Sequence, residues 1–355
     1  MKVNGKDKRT VWMEDSDVVI INQRLGALPH SYEEVKLKTY KDTCIAIKDM
    51  WVSGAGLIGA TAGYAMAQAA MQYSKTKDIT TFVMNINKAK EEIESTRPTA
   101  RNLFYATERL YNAIASTKTI DEAVEIAIKE AQAVADEDAE NCRMIGVHGS
   151  KLIKDGFNIM THCNAGWLAF VDWGSASSPI YAAHREGKSL LVYVSETRPR
   201  LQGSNLTAWE MMNEGVECKV IADNASGALI KAGKVDMVIT GADRIAANGD
   251  TANKIGTYMK AVCAKENNVP FYIAAPSTTF DLSLEDGDGI PIEERDQSEV
   301  LTVTGEFGGL IETVGIAPKG CKALNIAFDV TPHEYITGYI TEKGILKAGE
   351  IKGNI

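Results

Sequence analysis

Two loops of this 355-residue chain each combine a chemically active side chain with small and polar neighbours. The segment FNIMTHCNAG places Cys163 at the end of an apolar run, and MVITGADR places Asp243 at the end of another. A thiol at a strand-to-helix junction has its pKa lowered by the helix N-terminus, which makes the thiolate more available. The pattern leaves open whether Cys163 is reactive or structural. For Asp243, the alternative to a functional role is a carboxylate that caps a helix or orders the loop.

Polar side chains gather on the predicted loops, and several of them are suited to a polar, anionic ligand. They occur at Arg97, Arg198, Gln202, Arg244, Asn248, Asp250, Asn253 and Lys254. The ammonium of Lys254 is suited to an anion, and the amide of Asn253 is suited to a hydroxyl group. Each side chain alone is typical of a solvated surface or an ion pair. Their concentration in loops that follow apolar runs favours a binding site.

Gly54, Gly56 and Gly59 form a G-x-G-x-x-G pattern. This pattern indicates dinucleotide binding when it follows the first strand of a βαβ unit and precedes a second strand that ends in an acidic residue. The later segment QYSKTKDITTFVMN does not have the pattern of such a strand, so we do not expect a nicotinamide cofactor. Two interpretations stay open: close packing of a helix, or a helix N-terminus that binds an anion.

The elements that must position these loops change along the chain. Alternation in TVWMEDSDVVIINQRL predicts a small antiparallel ribbon. Residues 31–140 have helical periodicity, and Ser31 with Glu34 forms a capping-box pattern that predicts a helix starting there. From about residue 156, helical stretches alternate with the apolar runs FNIM, SLLVYVS, ECKVIA, VDMVIT, PFYIAA and ALNIAFDV. This alternation predicts a parallel sheet with helices on both faces.

The fold class predicted is therefore α/β. We expect an N-terminal, mostly helical domain with a small antiparallel sheet over residues 1–148, followed by a doubly wound parallel-sheet domain over residues 149–355. In such a sheet, ligands bind beyond the carboxyl ends of the strands. The loops that carry Cys163 and Asp243 fall at that edge.

Composition and charge restrict the partners. A formal net charge of −9 argues against nucleic acid and anionic membranes, which both require basic patches. The polar N-terminal segment lacks the apolar core of a signal peptide, and no apolar stretch is long enough to span a bilayer, so we expect a cytoplasmic protein. The six cysteines are widely spaced without a C-x-x-C pair, which disfavours a zinc site or a disulfide framework. We expect no metal or other cofactor.

Longer motifs make the chain resemble a known family. THCNAG, ETRPRLQGSNLTAWE, TGADRIAANGDTANKIGTY, IPIEER and AFDVTPHEYITGYITEKG are similar to segments of the methylthioribose-1-phosphate isomerases. That family shares a superfamily with ribose-1,5-bisphosphate isomerase and the regulatory subunits of the eukaryotic initiation-factor exchange complex. The resemblance extends over nearly the whole chain. It implies a homodimer in which a helical domain with a small sheet precedes a Rossmann-like domain.

The resemblance also implies roles for individual residues. By position, Cys163 and Asp243 match the catalytic pair of the family. The matched substrate-binding positions are Gly54, Ala55, Arg97, Gln202, Asn253 and Lys254. One departure lies beside them: the family's usual Arg-Gly-Ala-Pro is Ser53-Gly54-Ala55-Gly56 in this chain. In the isomerases that arginine holds the phosphate.

The implied reaction is an aldose–ketose isomerisation of 5-methylthioribose 1-phosphate to 5-methylthioribulose 1-phosphate, a step of methionine salvage. The esterified anomeric oxygen prevents opening to a free aldehyde, so an acid at the ring oxygen would assist opening before hydrogen moves from C2 to C1. Two alternatives stay open. One is an isomerase of 5-deoxyribose 1-phosphate or a related ribose phosphate, which the change at Ser53 favours. The other is a non-catalytic regulatory subunit, against which the retained Cys163 and Asp243 argue.

Overall fold

Short antiparallel strands begin the chain in the computed structural model, which describes residues 1–97 and 100–355. The strands are β1 (Lys2–Val3), β2 (Lys6–Asp7), β3 (Val11–Glu14), β4 (Asp17–Ile21) and β5 (Glu34–Leu37). β1 pairs with β2, and β3, β4 and β5 form a three-stranded antiparallel sheet. The ribbon predicted near the N-terminus is present, with β5 as an added strand.

Within residues 1–97 and 100–149, five helices follow this sheet. They are α1 (Tyr40–Lys48), α2 (Ala55–Tyr73), α3 (Ile79–Ser95), α4 (Arg101–Ala115) and α5 (Ile120–Gly149). Helix α2 is the centre of this region, since every residue from Gly56 to Ala70 is buried. Its many alanines and glycines let α4 and α5 pack closely against it, and together they form one apolar core.

The helix predicted to start at Ser31 is wrong. Glu34–Leu37 is strand β5, and α1 begins only at Tyr40 after a capping box made by Thr39 and Asp42. Within EVKL, apolar residues alternate with charged ones, and this period of two places Leu37 against the core. The Ser31 hydroxyl instead donates to the Glu33 carboxylate at 3.1 Å.

The rest of the chain alternates strands and helices. Its strands are β6 (Asn158–His162), β7 (Leu191–Ser195), β8 (Glu217–Ile221), β9 (Met237–Thr240), β10 (Arg244–Ala246), β11 (Thr251–Lys254), β12 (Phe271–Ala274), β13 (Phe280–Asp281), β14 (Thr302–Phe307), β15 (Leu310–Gly315), β16 (Phe328–Thr331), β17 (Gly338–Thr341) and β18 (Gly344–Leu346). Its helices are α6 (Ser178–Arg185), α7 (Ala208–Asn213), α8 (Ala225–Lys231), α9 (Thr257–Glu266), α10 (Ser298–Leu301) and α11 (Ile351–Asn354).

A seven-stranded sheet organises this part of the chain, in the order β18-β17-β12-β9-β6-β7-β8. All neighbouring strands are parallel except β18, which pairs antiparallel with β17. Strands β9 and β17 are buried throughout, as expected for strands covered on both faces. The predicted α/β class, with a helical N-terminal region and a mostly parallel sheet, is confirmed. The division at residues 148 and 149 stays a prediction.

A second sheet, of order β13-β10-β11-β16, lies beyond the carboxyl ends of the parallel strands. The prediction that ALNIAFDV contributes a strand to the parallel sheet is wrong, because Phe328–Thr331 pairs antiparallel with β11. The strand is only partly buried, and its Asp329 carboxylate accepts hydrogen bonds from the backbone N–H groups of Gly256 and Tyr258. A strand with such a carboxylate is not covered by apolar layers on both faces.

The hairpin of β14 and β15 projects from the molecule and exposes apolar side chains. Phe307 is 78% exposed and Leu310 is 65% exposed. Among the described residues, no helix combines the length and the apolar character that crossing a membrane requires.

Candidate active site

Strands β6 and β9 are neighbours in the sheet, and their carboxyl ends bring Cys163 and Asp243 to one cavity. Cys163 directly follows β6, and Asp243 follows β9 after two residues. The six other residues matched by the resemblance line the same cavity: Gly54, Ala55, Arg97, Gln202, Asn253 and Lys254. Residues far apart in the chain are thus assembled by the sheet edge, by the start of α2 and by β11.

Cys163 is held in an uncommon backbone conformation. Its φ is +62°, a region that side-chain-bearing residues rarely adopt and that occurs often at functional sites. The backbone N–H donates to the Thr197 hydroxyl at 2.8 Å, and the carbonyl accepts from the Thr207 hydroxyl at 2.7 Å. These two contacts fix the direction in which the thiol leaves the backbone.

The expected helix N-terminus beside Cys163 is absent in the described chain, so the predicted lowering of the thiol pKa is wrong. The residues after Cys163 form a loop and a short 3₁₀ turn, Trp167–Ala169, and α6 starts only at Ser178. Burial raises the pKa of Cys163 to about 11, while the nearby charge of Lys254 opposes the rise. The resting side chain is therefore a thiol at neutral pH.

A buried carboxylate explains why the chain forms this loop. Glu210 is fully buried and accepts hydrogen bonds from the Asn164 amide at 2.7 Å and from the Tyr181 hydroxyl at 2.7 Å. It also accepts from the backbone N–H groups of Trp167 and Leu168 at 3.0 and 3.1 Å. Burial raises the pKa of Glu210 to about 7 against these donors. The carboxylate thus accepts hydrogen bonds from backbone N–H groups that would donate to backbone carbonyls in a helix.

Asp243 lies at the floor of the cavity. Protein surrounds it, yet its side chain is solvent-exposed because it faces the open cavity. Burial raises the pKa of Asp243, while Lys254, Arg295 and Arg97 oppose that rise. It does not cap a helix, since β10 follows directly. A ligand that displaces the cavity water would strengthen the effect of burial and favour the protonated acid.

Positive charge at the cavity exceeds what the protein neutralises. Lys254 is only 5% exposed, and its ammonium makes no hydrogen bond or ion pair with any residue that the structure describes. Its Nζ lies 4.3 Å from the centroid of the Phe328 ring, and burial lowers its pKa. The pKa of Arg97 is also lowered, by burial and then by the nearby Arg295. A buried cation without a partner is costly, which favours an anionic ligand.

Neutral polar groups of the cavity also lack partners. Within the described residues, Gln202 Oε1 and Asn164 Oδ1 are buried without a hydrogen bond. Since native structures satisfy most buried polar atoms, these two are candidates to contact a ligand or water. The Asn253 side-chain N–H donates to the Thr257 hydroxyl at 2.9 Å, so the Asn253 side-chain oxygen remains available to other donors. The cavity thus offers acceptors for sugar hydroxyl groups.

The glycine pattern permits close packing of α2, while its second predicted role, anion binding, stays a prediction. A Cβ at Gly54 would lie 2.4 Å from the Cβ of Ala169, and one at Gly56 would lie 2.3 Å from the Phe170 ring, so both glycines permit close packing. Gly54 and Ala55 also start α2 at the cavity, where its unpaired N–H groups favour an anion. The pattern follows a loop after α1 and no strand of the parallel sheet, so the context of a dinucleotide site is missing.

Four polar candidates from the sequence do not line this cavity. One of them, Arg244, lines an adjoining cavity, and the other three are Arg198, Asn248 and Asp250. The Arg198 guanidinium donates to the backbone carbonyls of residues 199, 299, 300 and 302 and so holds α10. Asp250 accepts hydrogen bonds from Asn248, from Gly287 and from His333, which orders their loops. The side chains of Arg198, Asn248 and Asp250 are structural.

Arg295 and Phe328 also line the cavity, although the sequence did not single them out as candidates. The Arg295 guanidinium lies 5.2 Å from the same Phe328 ring that faces Lys254, and it pairs with Glu293 at 2.9 Å. Arg295 is the last residue of the motif IPIEER, which was one available signal. An adjoining cavity shares Phe328 with this one and is lined by apolar residues of the segment Ile290–Ile292 and by Ile58.

Comparisons with known proteins agree with this architecture. Residues 51–348 match the model of the Initiation factor 2 subunit family. The chain belongs to that family. It is 47% identical to the methylthioribose-1-phosphate isomerase of Desulfatibacillum aliphaticivorans, over 99% of this chain and 97% of that protein. The resemblance inferred from the sequence motifs is thereby confirmed.

Two solved structures are similar over nearly the whole chain. The 5-methylthioribose 1-phosphate isomerase of Pyrococcus horikoshii OT3 superposes with a TM-score of 0.88 at 43% identity, covering 98% of this chain and 95% of that one. The translation initiation factor eIF-2B subunit delta of A. fulgidus gives 0.83 at 38% identity, covering 97% of each chain. One of these similar structures is thus named an isomerase, and the other is named an initiation factor subunit.

Proposed function

We propose that the protein is an aldose–ketose isomerase that converts 5-methylthioribose 1-phosphate to 5-methylthioribulose 1-phosphate in methionine salvage. The observation that carries this proposal is the convergence of Cys163 and Asp243 in one cavity that also holds the unpaired ammonium of Lys254. The names of the relatives at 47% and 43% identity support the same reaction.

Asp243 is suited to the first chemical step, ring opening. Burial raises its pKa and so favours the protonated acid, which in this mechanism donates its proton to the ring oxygen as the bond from C1 to that oxygen breaks. C1 then carries the phosphate ester and an electron deficiency. The esterified oxygen cannot lose its substituent to give a free aldehyde, so hydrogen must reach C1 from C2.

Cys163 is suited to the second step, in either of two routes. In a hydride route, hydrogen moves from C2 to C1 with its electron pair, and the C2 hydroxyl loses a proton to give the ketone. In an enol route, a base removes the proton on C2, a proton then returns to C1, and the C2 hydroxyl loses its own proton to give the ketone. In each case Cys163 accepts the departing proton as a thiolate, so its resting thiol must first lose a proton, and the charge of Lys254 favours that ionisation. Both routes leave the atom count of an isomer unchanged.

The other cavity residues are suited to binding. Arg97, Gln202 and the N-terminus of α2, at Gly54 and Ala55, offer donors to a phosphate. Asn253 is suited to a sugar hydroxyl. Lys254 contributes charge close to the reacting atoms. The apolar residues of the adjoining cavity, Ile58 and Ile290–Ile292, are suited to an apolar group at C5, such as methylthio.

The test is turnover of defined sugar phosphates. Purified protein is incubated with 5-methylthioribose 1-phosphate and, separately, with 5-deoxyribose 1-phosphate, and conversion is followed by phosphorus and proton NMR. We expect ketose formation from the first, at the higher kcat/KM. Preference for the second would select the related isomerase instead. A folded protein that converts neither compound would contradict the proposal.

A second candidate function is that of a regulatory subunit. It is favoured by the structural similarity to the translation initiation factor eIF-2B subunit delta of A. fulgidus. Such a protein would not require a thiol and a carboxylate in one cavity. Stable co-purification with unlike subunits, together with no turnover, would favour this candidate. Turnover at a normal enzymatic rate would exclude it as the main function.

The working state we propose is a cytoplasmic homodimer that binds neither nucleic acid nor membranes. The net charge of −9 supports the second part of this proposal. The exposed apolar residues of the β14–β15 hairpin support the first, because a large exposed apolar surface often marks a contact between chains.

A further inference from the structure

A second polar cavity adjoins the proposed active site beside Ser53. The two cavities share the wall residues Met50, Ser53 and Gln202, so they lie side by side. The additional wall residues include two arginines, Arg24 and Arg200. The proposed function above gives neither arginine a role.

The guanidinium of Arg24 is available to a ligand. Its carbon lies 5.6 Å from the centroid of the Trp51 ring, which supports one face of the group. In the part of the chain that the structure describes, the Arg24 side chain makes no hydrogen bond and no ion pair, and the residue is exposed. Its donor groups are therefore free to bind an anion that enters the cavity.

Arg200 adds charge that the protein only partly neutralises. Its Nη1 lies 2.7 Å from the Glu299 carboxylate, and the side chain is 16% exposed. Despite this pair, the charge of Arg200 still contributes to lowering the pKa of Arg97, after burial and the effect of Arg295. The guanidinium groups of Arg97 and Arg200 thus repel each other where the two cavities adjoin. An anion bound between them would relieve this repulsion.

Ser53 lines both cavities with a short side chain. Its hydroxyl donates a hydrogen bond to Gln23 Oε1 at 2.8 Å. A longer side chain at this position would take up space where the two cavities adjoin. Gln202 lines both cavities, and its buried Oε1 has no partner in the described chain.

We propose that Arg24 and Arg200 bind the phosphate of the sugar substrate, together with Arg97 and Gln202. This inference rests on the proposed function for the identity of the substrate. A guanidinium presents parallel N–H donors that match two phosphate oxygens, and a phosphate dianion satisfies more than one such group. Positive charge contributed from Arg24 and Arg200 takes the place of an arginine at position 53.

The first experiment measures binding of inorganic phosphate by isothermal titration calorimetry. It compares the wild type with Arg24→Met, Arg200→Met and the control Arg143→Met, which removes an exposed arginine on α5 that pairs with Glu140. We expect each of the first two substitutions to weaken phosphate binding by about tenfold, the loss typical of one charge-assisted hydrogen bond. Arg24→Lys should recover part of the affinity, since it restores charge without the planar donor fork. The control should bind as the wild type does.

A substitution that is expected to tighten phosphate binding separates an effect on binding from an effect on the structure. Glu299→Gln keeps the shape of the side chain but removes the charge that pairs with Arg200, so we expect tighter phosphate binding. With 5-methylthioribose 1-phosphate as substrate, Arg24→Met should raise KM with little change in kcat. Equal phosphate affinity in the wild type, Arg24→Met and Arg200→Met would overturn the inference, as would no phosphate binding at all. Phosphate binding that follows these expectations without turnover would instead contradict only the proposed reaction.

Discussion

At the scale of single residues, burial and charge act in opposite directions on the Cys163 thiol. Burial raises its pKa to about 11, and the ammonium of Lys254 lowers it. The thiolate is the species that reacts with alkylating agents and accepts protons. Lys254 therefore affects both substrate binding and the proton equilibrium of the thiol.

This balance predicts how Cys163 reacts with iodoacetamide. We expect slow alkylation near pH 7 that accelerates as pH rises towards 11, because the thiolate fraction increases. Lys254→Met should slow alkylation further at every pH below that value, since it removes the charge that favours the thiolate. Peptide mass spectrometry measures the rate for each cysteine, with the exposed Cys321 as internal reference. Faster alkylation of Cys163 in Lys254→Met would show that the assigned influence of Lys254 is wrong.

Sequence alone indicated which residue types gather at the cavity but not which arginines belong to it. Arg97 and Arg198 were equal candidates, yet only Arg97 reaches the cavity, while Arg198 binds backbone carbonyls near α10. Arg295 and Phe328 lie far in the sequence from the other cavity residues and approach them only in the folded chain. An arginine's role depends on the groups opposite it, and a single sequence does not contain that information.

At the scale of elements, the loop after β6 depends on Glu210. Four donors converge on this carboxylate, two of them backbone N–H groups of the loop. A Cβ at Gly166 would lie 1.7 Å from Glu210 Oε2, so the loop encloses the carboxylate completely. Glu210 is a positioning residue, because it acts on Cys163 through the backbone.

Glu210→Gln should misplace the Cys163 thiol. The new amide N–H group would face donors, so at least one buried hydrogen bond is lost, at a cost of about 1–3 kcal/mol in the free energy of unfolding. We expect kcat to fall with KM nearly unchanged, and the rate of Cys163 alkylation to change as well. Tyr181→Phe, which removes a single donor, is the matched control and should have a smaller effect on both rates. Unchanged kcat and alkylation in Glu210→Gln would contradict the positioning role.

The raised pKa of Glu210 also predicts a pH dependence of stability. Because its folded pKa of about 7 lies above its ordinary value of 4.5, the folded state holds the proton more tightly than the unfolded state does. The stability linked to this proton is complete below pH 4.5 and is lost as pH rises to about 7. Melting temperatures from pH 5 to pH 8 should therefore fall more steeply in the wild type than in Glu210→Gln. Parallel curves would show that Glu210 does not titrate in this range.

Elements differ in how well the sequence determined them. β6, β7, β9 and β12 were predictable because short runs of β-branched and aromatic residues between helical stretches have few other solutions. The start of α1 was not predictable, because the sequence contains two possible capping boxes. Ser31 and Glu34 match the pattern, but Thr39 and Asp42 form the capping box in the structure. Two competing local signals are resolved only by packing, here by Leu37 against the core.

At the scale of the whole molecule, the exposed hairpin predicts association between two copies of the chain. Phe307→Asp and Leu310→Asp place charge on this apolar surface, so both should convert the proposed dimer to a monomer. Light scattering after size-exclusion chromatography measures the mass. Met84→Lys, on an exposed apolar residue of α3, is the control and should leave the mass unchanged. A monomeric wild type would contradict the proposed dimer, and a dimer retained in both hairpin variants would show that its interface lies elsewhere.

In the proposed function, Cys163 and Asp243 perform chemistry together. Steady-state kinetics of conservative variants provide the most direct test of this joint role. We expect Cys163→Ser and Asp243→Asn each to lower kcat for 5-methylthioribose 1-phosphate by about a hundredfold or more, the usual scale for a lost acid–base group. Substrate binding measured by calorimetry should survive in both, because Arg97, Gln202 and Asn253 are retained. Lys254→Ala should also raise KM. Near-normal turnover in both conservative variants, accompanied only by altered melting temperatures, would contradict the account.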